Sequence, residues 1–500
     1  MLWNGAVTDR EEIMESTTLG QMLEETRRRY PDRISLIFKD ATFTYNELNQ
    51  TANAIGNLLI TMGIRKGDTV ALMLPNTPEF IISYFAAVKI GAVAVTLNVL
   101  STPYELTYLL NNSDARALIT TSLFVKKFEV IENELATCRH LILTDGSDGN
   151  TIFQEAMENG PFELTMPAIE GDDPAVMIYT AGLTGRPLGA VLTHSNLATQ
   201  STLLRDICDG TEQDRGLSLI PFFHSFGASA NMLSVLKIGA STVLMEQFNI
   251  DSIFQTIERE KVTYIAAVPR LFLGMLMHKN ADDYDVSSLR LCITGGSTMP
   301  SEFIPTFEKK FSVKLMEGYG LTEASPVCSF SRINMEQKPG SIGIPIPGAE
   351  AKVVDDHDTA LCVGEEGELV VKGANVMKGY YEDDDATAAV IKDGWLYTGD
   401  LAKIDDDGYI FLTGRKKRMI ITSGFNVYPR EVEIVLDMHP AVERSRVVAK
   451  PDLMRGEIVK AIITARDKAS IDKKEILRHC RTYLSSYKVP RELEVADSLD

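Results

Sequence analysis

The chain has 500 residues, 45% apolar and 24% charged, the balance of an ordinary globular protein too long for one small core. A net charge of −19 excludes a general nucleic-acid binder, which needs a basic face, but not a nucleotide held by a local loop. Cysteines 138, 208, 292, 328, 362 and 480 lie far apart and show no zinc spacing, which points to reduced thiols and a cytoplasmic setting. Met1-Leu2-Trp3-Asn4 lacks a basic start ahead of an apolar run, so no signal peptide is expected. The longest apolar stretches, such as 80–87, are too short to span a bilayer; peripheral membrane contact is left open.

In chain order, 69–74 reads as a strand, Pro75-Asn76 as a turn, 79–89 as a helix stopped by Gly91, and 92–97 as the next strand. This is a βαβ unit, so parallel pairing is expected. Further strands are expected at 117–120, 141–143, 176–179, 241–245, 264–268 and 291–294, an α/β pattern. After about Gly340 the pattern changes. Short runs at 351–354, 367–372 and 409–412, joined by Asp/Gly turns, predict antiparallel pairing or a small barrel. Strands at 420–421, 445–449 and 458–464 and helices at 431–438 and 473–484 predict a small α+β domain. The boundary falls near Lys416-Lys417, giving domains 1–416 and 417–500.

Five segments carry candidate chemistry. Ile178 to Gly189 places Thr180, Gly182, Thr184, Gly185 and Arg186 between two apolar runs. Glycine permits close backbone approach, so such a turn can face a polyphosphate, although it is not a Walker A loop. Without a ligand it would be a sharp strand-to-helix turn. In Glu317-Gly318-Tyr319-Gly320-Leu321-Thr322-Glu323, an aromatic can cover a purine, a hydroxyl can bond a phosphate oxygen and a carboxylate can hold Mg²⁺. The plain alternative is a tyrosine buried in a turn. Tyr397-Thr398-Gly399-Asp400 and, further on, Arg415 can hold a sugar, or can be an Asx-turn and a solvated arginine. Phe222, His224 and Phe226 can wall an apolar acyl pocket, or can be core aromatics around a satisfied histidine. Gly295-Gly296-Ser297 follows a strand, at the end where open α/β sheets bind ligands.

Taken together and in this order, these motifs resemble those of the acyl-CoA synthetases of the adenylate-forming superfamily. The resemblance runs from about Leu19 to the C-terminus and is nearest to bacterial fatty-acyl-CoA ligases, as in 338–343, 375–381, 394–401 and 426–431. It implies a large α/β domain with a barrel-like part and a small mobile C-terminal domain. It also implies two reactions: a carboxylate and Mg-ATP give acyl-AMP and pyrophosphate, then CoA displaces AMP. By resemblance, Thr180, Gly182, Thr184, Gly185 and Arg186 belong to the phosphate loop, Thr322 bonds the α-phosphate and Glu323 holds the metal. Gly295, Gly296, Ser297 and Glu317 to Gly320 enclose adenine, while Asp400 and Arg415 take the ribose. His224 borders the acyl carboxylate, Lys417 is the pivot, and Ser423, Gly424 and Phe425 approach the CoA tunnel. The implied substrate is a medium- or long-chain fatty acid or another apolar carboxylate, cyclic and aromatic acids included. The expected lining is 222–232 and 268–276. Homodimers are common among such enzymes.

Two departures stand out. The family loop reads Ser, then G-T-T-G-K-P-K-G, whereas this chain has Ala181, Leu183, Arg186 and Leu188. Lost hydroxyls and one lost charge predict a loose grip on the β- and γ-phosphates. Also, Tyr487-Lys488-Val489-Pro490 is present, but Asp500 is reached before the family's P-x-x-x-x-G-K segment, so the natural chain is expected to continue. The altered loop keeps a rival reading open, a weakened acyl-adenylate-binding protein. Reversed flux, making ATP from acyl-CoA, AMP and pyrophosphate, is a third.

Overall fold

The computed structural model describes residues 18–181, 185–416, 419–452, 455–466 and 471–499. Gly182, Leu183 and Thr184 of the loop and the expected pivot Lys417 lie outside the described residues.

The expected βαβ unit forms. Thr69–Met73 and Val93–Thr96 pair in parallel, and Pro78–Lys89 crosses between them with proline in its first turn, where no backbone N–H is needed. The helix is apolar on nearly every side, so it can only be buried. Its core cluster joins Val70 and Leu72 of one sheet to Phe222 and Met232, which belong to the second sheet's layer. At its end Lys89 is fully buried. Its Nζ donates to Glu24 Oε1 at 2.6 Å and Asn49 Oδ1 at 2.5 Å, which is how a buried ammonium is tolerated.

Among the described residues the first sheet has seven strands and the second nine. The first runs parallel through His140–Leu143, Ala117–Thr120, Thr69–Met73, Val93–Thr96 and Pro174–Ala181. In the second, Arg215–Ser218 has Ser241–Leu244 on one side and Tyr264–Ala267 on the other. The order of connection therefore reverses at Arg215–Ser218, and a crevice is expected beyond the carboxyl ends of these strands. Leu291–Thr294 and Lys314–Gly320 extend that sheet in parallel.

The change of pattern after Gly340 is also realised. Ala349–Val354, Gly367–Gly373, Trp395–Ile404 and Ile410–Arg415 form an antiparallel sheet. The C-terminal domain has a five-stranded sheet of Ile420–Thr422, Phe425–Val427, Val442–Asp452, Gly456–Ala465 and Glu492–Val495. Helices Pro429–Asp437 and Lys473–Tyr483 share its hydrophobic cluster. The plain alternative for one loop fails. The glycine–threonine loop does not lead from strand to helix, because Pro174–Ala181 and Pro187–Thr193 pair antiparallel with Thr180 opposite Leu188. The apolar run 190–192 is a returning strand, and a β-branched run of that length suits either geometry until its partner is known.

Asp214 clamps the starts of neighbouring strands in the nine-stranded sheet. Arg290 donates to both of its oxygens at 2.6 Å, and Thr263 donates at 2.6 Å. Removing one partner leaves a desolvated charge behind. Asp214→Ala is therefore expected to cost ~2–4 kcal/mol, read as a lower urea midpoint at constant slope.

Candidate active site

One part of the candidate site forms where three strands converge. Tyr319 ends Lys314–Gly320, Asp400 lies in Trp395–Ile404, and Arg415 closes Ile410–Arg415. The Tyr319 hydroxyl donates to Asp400 Oδ2 at 2.5 Å and Arg415 Nε donates to Oδ1 at 3.0 Å, so the carboxylate is fixed from both sides. Burial, then the Asp400 charge, pushes the Tyr319 phenol well above its usual range, so it stays a donor. Gly318 lies so close to Phe330 that an added Cβ would stand 2.5 Å from its ring, and a Cβ on Gly320 would stand 2.0 Å from the Pro326 carbonyl. Gly295, Gly296 and Ser297 line the same cavity, and Gly296 has φ +79°, a conformation that suits glycine.

A second group of side chains gathers on Glu323. Its Oε1 accepts from the Tyr380 hydroxyl at 2.8 Å and from the Thr180 hydroxyl at 3.1 Å. Thr322 Oγ1 shares a 3.2 Å hydrogen bond with Ser225 Oγ. Gly185 is buried with φ +85°, and an added Cβ would press on Ile434 Cδ1 at 2.6 Å. Arg186 is exposed, and Leu188, where the family has lysine, lines the cavity beside Thr180. Among the described residues no group of three or more His, Cys, Asp or Glu converges as a metal cage. One carboxylate with two hydroxyls beside it fits a Mg²⁺ ion that takes its other oxygens from phosphate and water.

Two cavities meet at Thr180, His224, Thr322 and Asn426. The first, about 450 Å³, runs from the nucleotide residues to an apolar end formed by Leu203, Leu204, Ile207, Ala230, Ile293 and Phe330. Gly227–Leu233 is a π-helical segment, and this wider turn sets Ser229 and Ala230 on the cavity wall. The second, about 1090 Å³, opens between residues 98–112 and the C-terminal domain and includes Gly185, Arg186 and Phe425. His224 borders both. Its Nδ1 accepts from the Phe226 N–H at 3.2 Å, so the ring proton sits on Nε2. Burial pushes this histidine down to about 4, so the ring is neutral at physiological pH.

Several expected residues lie elsewhere. Phe222 is fully buried against Phe80, with ring centroids 5.5 Å apart, and lines neither cavity. Its neighbour in the motif, Phe226, does line the first cavity. The expected lining at 268–276 is also wrong. Leu271, Phe272 and Met275 belong to a core cluster, and Val268 contacts the C-terminal domain, 2.7 Å from where a Cβ on Gly424 would stand. Ser423 Oγ accepts from Arg270 at 3.3 Å, whereas Phe425 alone of 423–425 reaches the second cavity. Gly424 lies on the first cavity instead. Sequence reasoning missed Tyr380, although it sits inside the 375–381 motif. It also missed the 203–208 helix, whose apolar residues carry no local signal of a pocket.

The AMP-binding enzyme family model matches residues 23–381, and that of the AMP-binding enzyme C-terminal domain matches 431–500. The chain belongs to the AMP-binding enzyme family. It is 34% identical to the long-chain-fatty-acid–CoA ligase of Bacillus subtilis over 97% of this chain and 92% of that one. Among solved structures it is similar to a double mutant of B. subtilis o-succinylbenzoate CoA synthetase bound with a product analogue. That similarity is 31% identity with a TM-score of 0.85, over 96% and 95% of the two chains. It is also similar to a Mycobacterium tuberculosis fatty acyl CoA synthetase, at 29% identity, TM-score 0.75, and 97% and 95% coverage. The chain is an acid–thiol ligase, an acyl-CoA synthetase that uses ATP and CoA.

The burial of Glu317 can be tested through stability. Its Oε1 accepts from the Met299 N–H at 3.0 Å, and burial raises its carboxyl from 4.5 to about 7. Below 4.5 both folded and unfolded states hold the proton, so nothing is lost. Between 4.5 and about 7 the unfolded chain ionises first, and stability falls as pH rises. Glu317→Gln keeps the acceptor and removes this penalty. The variant should match the parent at pH 4 and exceed it by ~3 kcal/mol at pH 8 in denaturant titrations. A gain independent of pH would contradict this.

Proposed function

We propose that this synthetase activates an apolar carboxylate, a medium- or long-chain fatty acid, and that the residues above hold its reactants. The observation carrying this reading is one cavity that runs from an apolar end to Tyr319, Asp400 and Glu323, with His224 and Thr322 midway. The acyl tail lies among Leu203, Leu204, Ile207, Ala230, Ile293 and Phe330. The far end offers it no free charge: Tyr264 donates its hydroxyl to the Ala230 carbonyl at 3.1 Å, and burial pushes the Cys208 thiol up to about 12. The fatty-acid names of similar enzymes support the same class.

Adenine lies against Gly295, Gly296, Ser297 and Tyr319, and the ribose hydroxyls bond the carboxylate of Asp400 with Arg415 beside it. Step one brings an anion to a polyanion, so the demand is charge neutralisation. A carboxylate oxygen bonds to the α-phosphorus and pyrophosphate leaves. The Nε2–H of neutral His224 and the hydroxyl of Thr322 orient the reacting oxygens. Mg²⁺, held through Glu323, would supply positive charge against the phosphates. Tyr380 and Thr180 fix the rotamer of that carboxylate. In step two the CoA sulfur enters through the second cavity past Phe425, bonds to the carbonyl carbon, loses its proton, and AMP leaves.

We place the domain boundary at 416/417. Lys416 is tied to the third sheet through Asp356 at 2.7 Å and Glu368 at 3.1 Å, so rotation of the C-terminal domain begins after it, at Lys417. A cytoplasmic location fits the six free cysteines. Among the described residues no helix is long and apolar enough to cross a membrane.

Two measurements test these roles. With a series of linear acids, kcat/KM should rise about three- to fourfold per methylene until the apolar end is filled, at ~0.8 kcal/mol per buried CH₂. Ala230→Phe should move that optimum to shorter acids while leaving the KM for ATP unchanged. A flat series would exclude the assigned pocket. Leu188→Lys restores a charge beside Thr180 and should lower the KM for ATP by roughly tenfold, the value of one charge-assisted hydrogen bond. An unchanged KM would remove Leu188 from the phosphate contacts.

A further inference from the structure

Lys488 is a nearly buried cation on the face where the C-terminal domain meets helix Pro103–Asn112, and the proposed chemistry gives it no task. It is 8% exposed and sits between two buried carboxylates. Its Nζ donates to Glu105 Oε1 at 2.8 Å and to Glu431 Oε1 at 2.5 Å. These carboxylates differ in origin. Glu431 belongs to the same C-terminal domain as Lys488, on helix Pro429–Asp437, whereas Glu105 belongs to the large domain.

Glu105 is committed on two sides. Toward its own helix it completes a capping box, accepting from the Thr102 N–H at 2.8 Å. Toward the C-terminal domain it accepts from the Ser485 hydroxyl at 2.6 Å, the Ser485 N–H at 3.2 Å and Lys488. Around this point Thr102 donates to the Tyr483 carbonyl at 3.1 Å, and the Tyr104 and Tyr483 rings meet edge-on at 5.2 Å. Next to Lys488, Tyr487 stacks on Phe425 with centroids 4.6 Å apart, and Phe425 is a wall of the second cavity. One side of that cavity therefore exists only while the C-terminal domain is seated on Glu105.

From this arrangement we infer that Glu105, Ser485 and Lys488 form an ionic latch that seats the C-terminal domain for thioester formation. Glu431 keeps Lys488 paired and aimed whether or not the domains touch, so parting them strands no buried ammonium. Glu105 discriminates, because its bonds to Ser485 and Lys488 exist only in the seated arrangement. A contact present in one arrangement and absent in the other shifts their populations by its own free energy. Among the described residues, none of those proposed for adenine, ribose, phosphate and acyl binding makes a hydrogen bond or ion pair with any of the three. These are positioning residues, and their loss should fall on one half-reaction. The inference rests on the two-step reading above.

The two half-reactions can be measured separately in the full chain. Adenylation is followed by acid-dependent exchange of pyrophosphate into ATP, and transfer by CoA consumption from supplied acyl-adenylate. Glu105→Gln preserves the shape and the capping box while removing the charge. Lys488→Met removes the cation. Both should slow transfer tenfold or more and leave exchange within twofold, and Lys488→Arg should recover part of the rate. A thermal melt of each variant checks folding. Equal losses in both half-reactions would make the cluster merely structural and overturn the latch. So would unchanged transfer in Glu105→Gln, even if Lys488→Met were impaired. If the parent enzyme itself made no thioester from acyl-adenylate, the two-step reading would fail, and the latch with it.

Discussion

Asp400 accepts from Tyr319 at 2.5 Å and from Arg415 at 3.0 Å, and through these bonds two sheets of the large domain are held in register. Tyr319 comes from the nine-stranded sheet and Arg415 from the antiparallel sheet. Neither sheet alone makes this cluster. The carboxylate also has to be buried to serve as a joint, and burial is tolerable because both oxygens are satisfied by donors. The same construction recurs at Glu323, where Thr180 from the seven-stranded sheet and Tyr380 converge on one oxygen. Active-site carboxylates thus fix the relative positions of the layers while staying available at a cavity wall.

Around these joints the site divides by polarity. One end of the cavity is lined with hydroxyls, glycines and two fixed carboxylates, whereas the other is aliphatic and aromatic. His224 stands between them as an uncharged donor. A protonated ring there would bind any passing anion, but a neutral Nε2–H adds direction without net charge. Burial achieves this without a neighbouring base, since no other group contributes to its depressed pKa.

Much of this was legible in the sequence, for local reasons. Short β-branched runs bounded by Gly, Pro and Asp placed the strands to within a few residues. The 317–323 and 397–400 motifs pointed to residues that the fold brings together, Tyr319 and Asp400, because their chemistry is carried by consecutive residues. What stayed hidden depends on packing. Phe222 and Phe226 stand four residues apart in one motif, yet Phe80 claims the first for the core, whereas the second begins the helix that faces the cavity. The π-helical turn at 227–233 has no pattern that distinguishes it from an α-helix, so the expected lining at 222–232 could not be narrowed to the residues that face the cavity, Ser229 and Ala230 among them. The return of 190–192 as a strand paired with 174–181 stayed hidden because strand pairing is a long-range fact. Lys488 was set aside as part of a familiar tetrapeptide, since Glu105 lies 383 residues away.

The second cavity shares Thr180, Gly185 and Arg186 with the phosphate loop. On the proposed roles, the outgoing pyrophosphate and the incoming pantetheine arm claim one volume. They cannot be present together, so the first product must vacate before the second nucleophile enters. Kinetic order is then a matter of occupancy rather than of regulation. It also recasts the altered loop: fewer hydroxyls and a leucine in place of a lysine weaken retention of the very group whose departure clears the way. A loop that holds ATP less firmly is, on the same surface, a loop that releases pyrophosphate sooner.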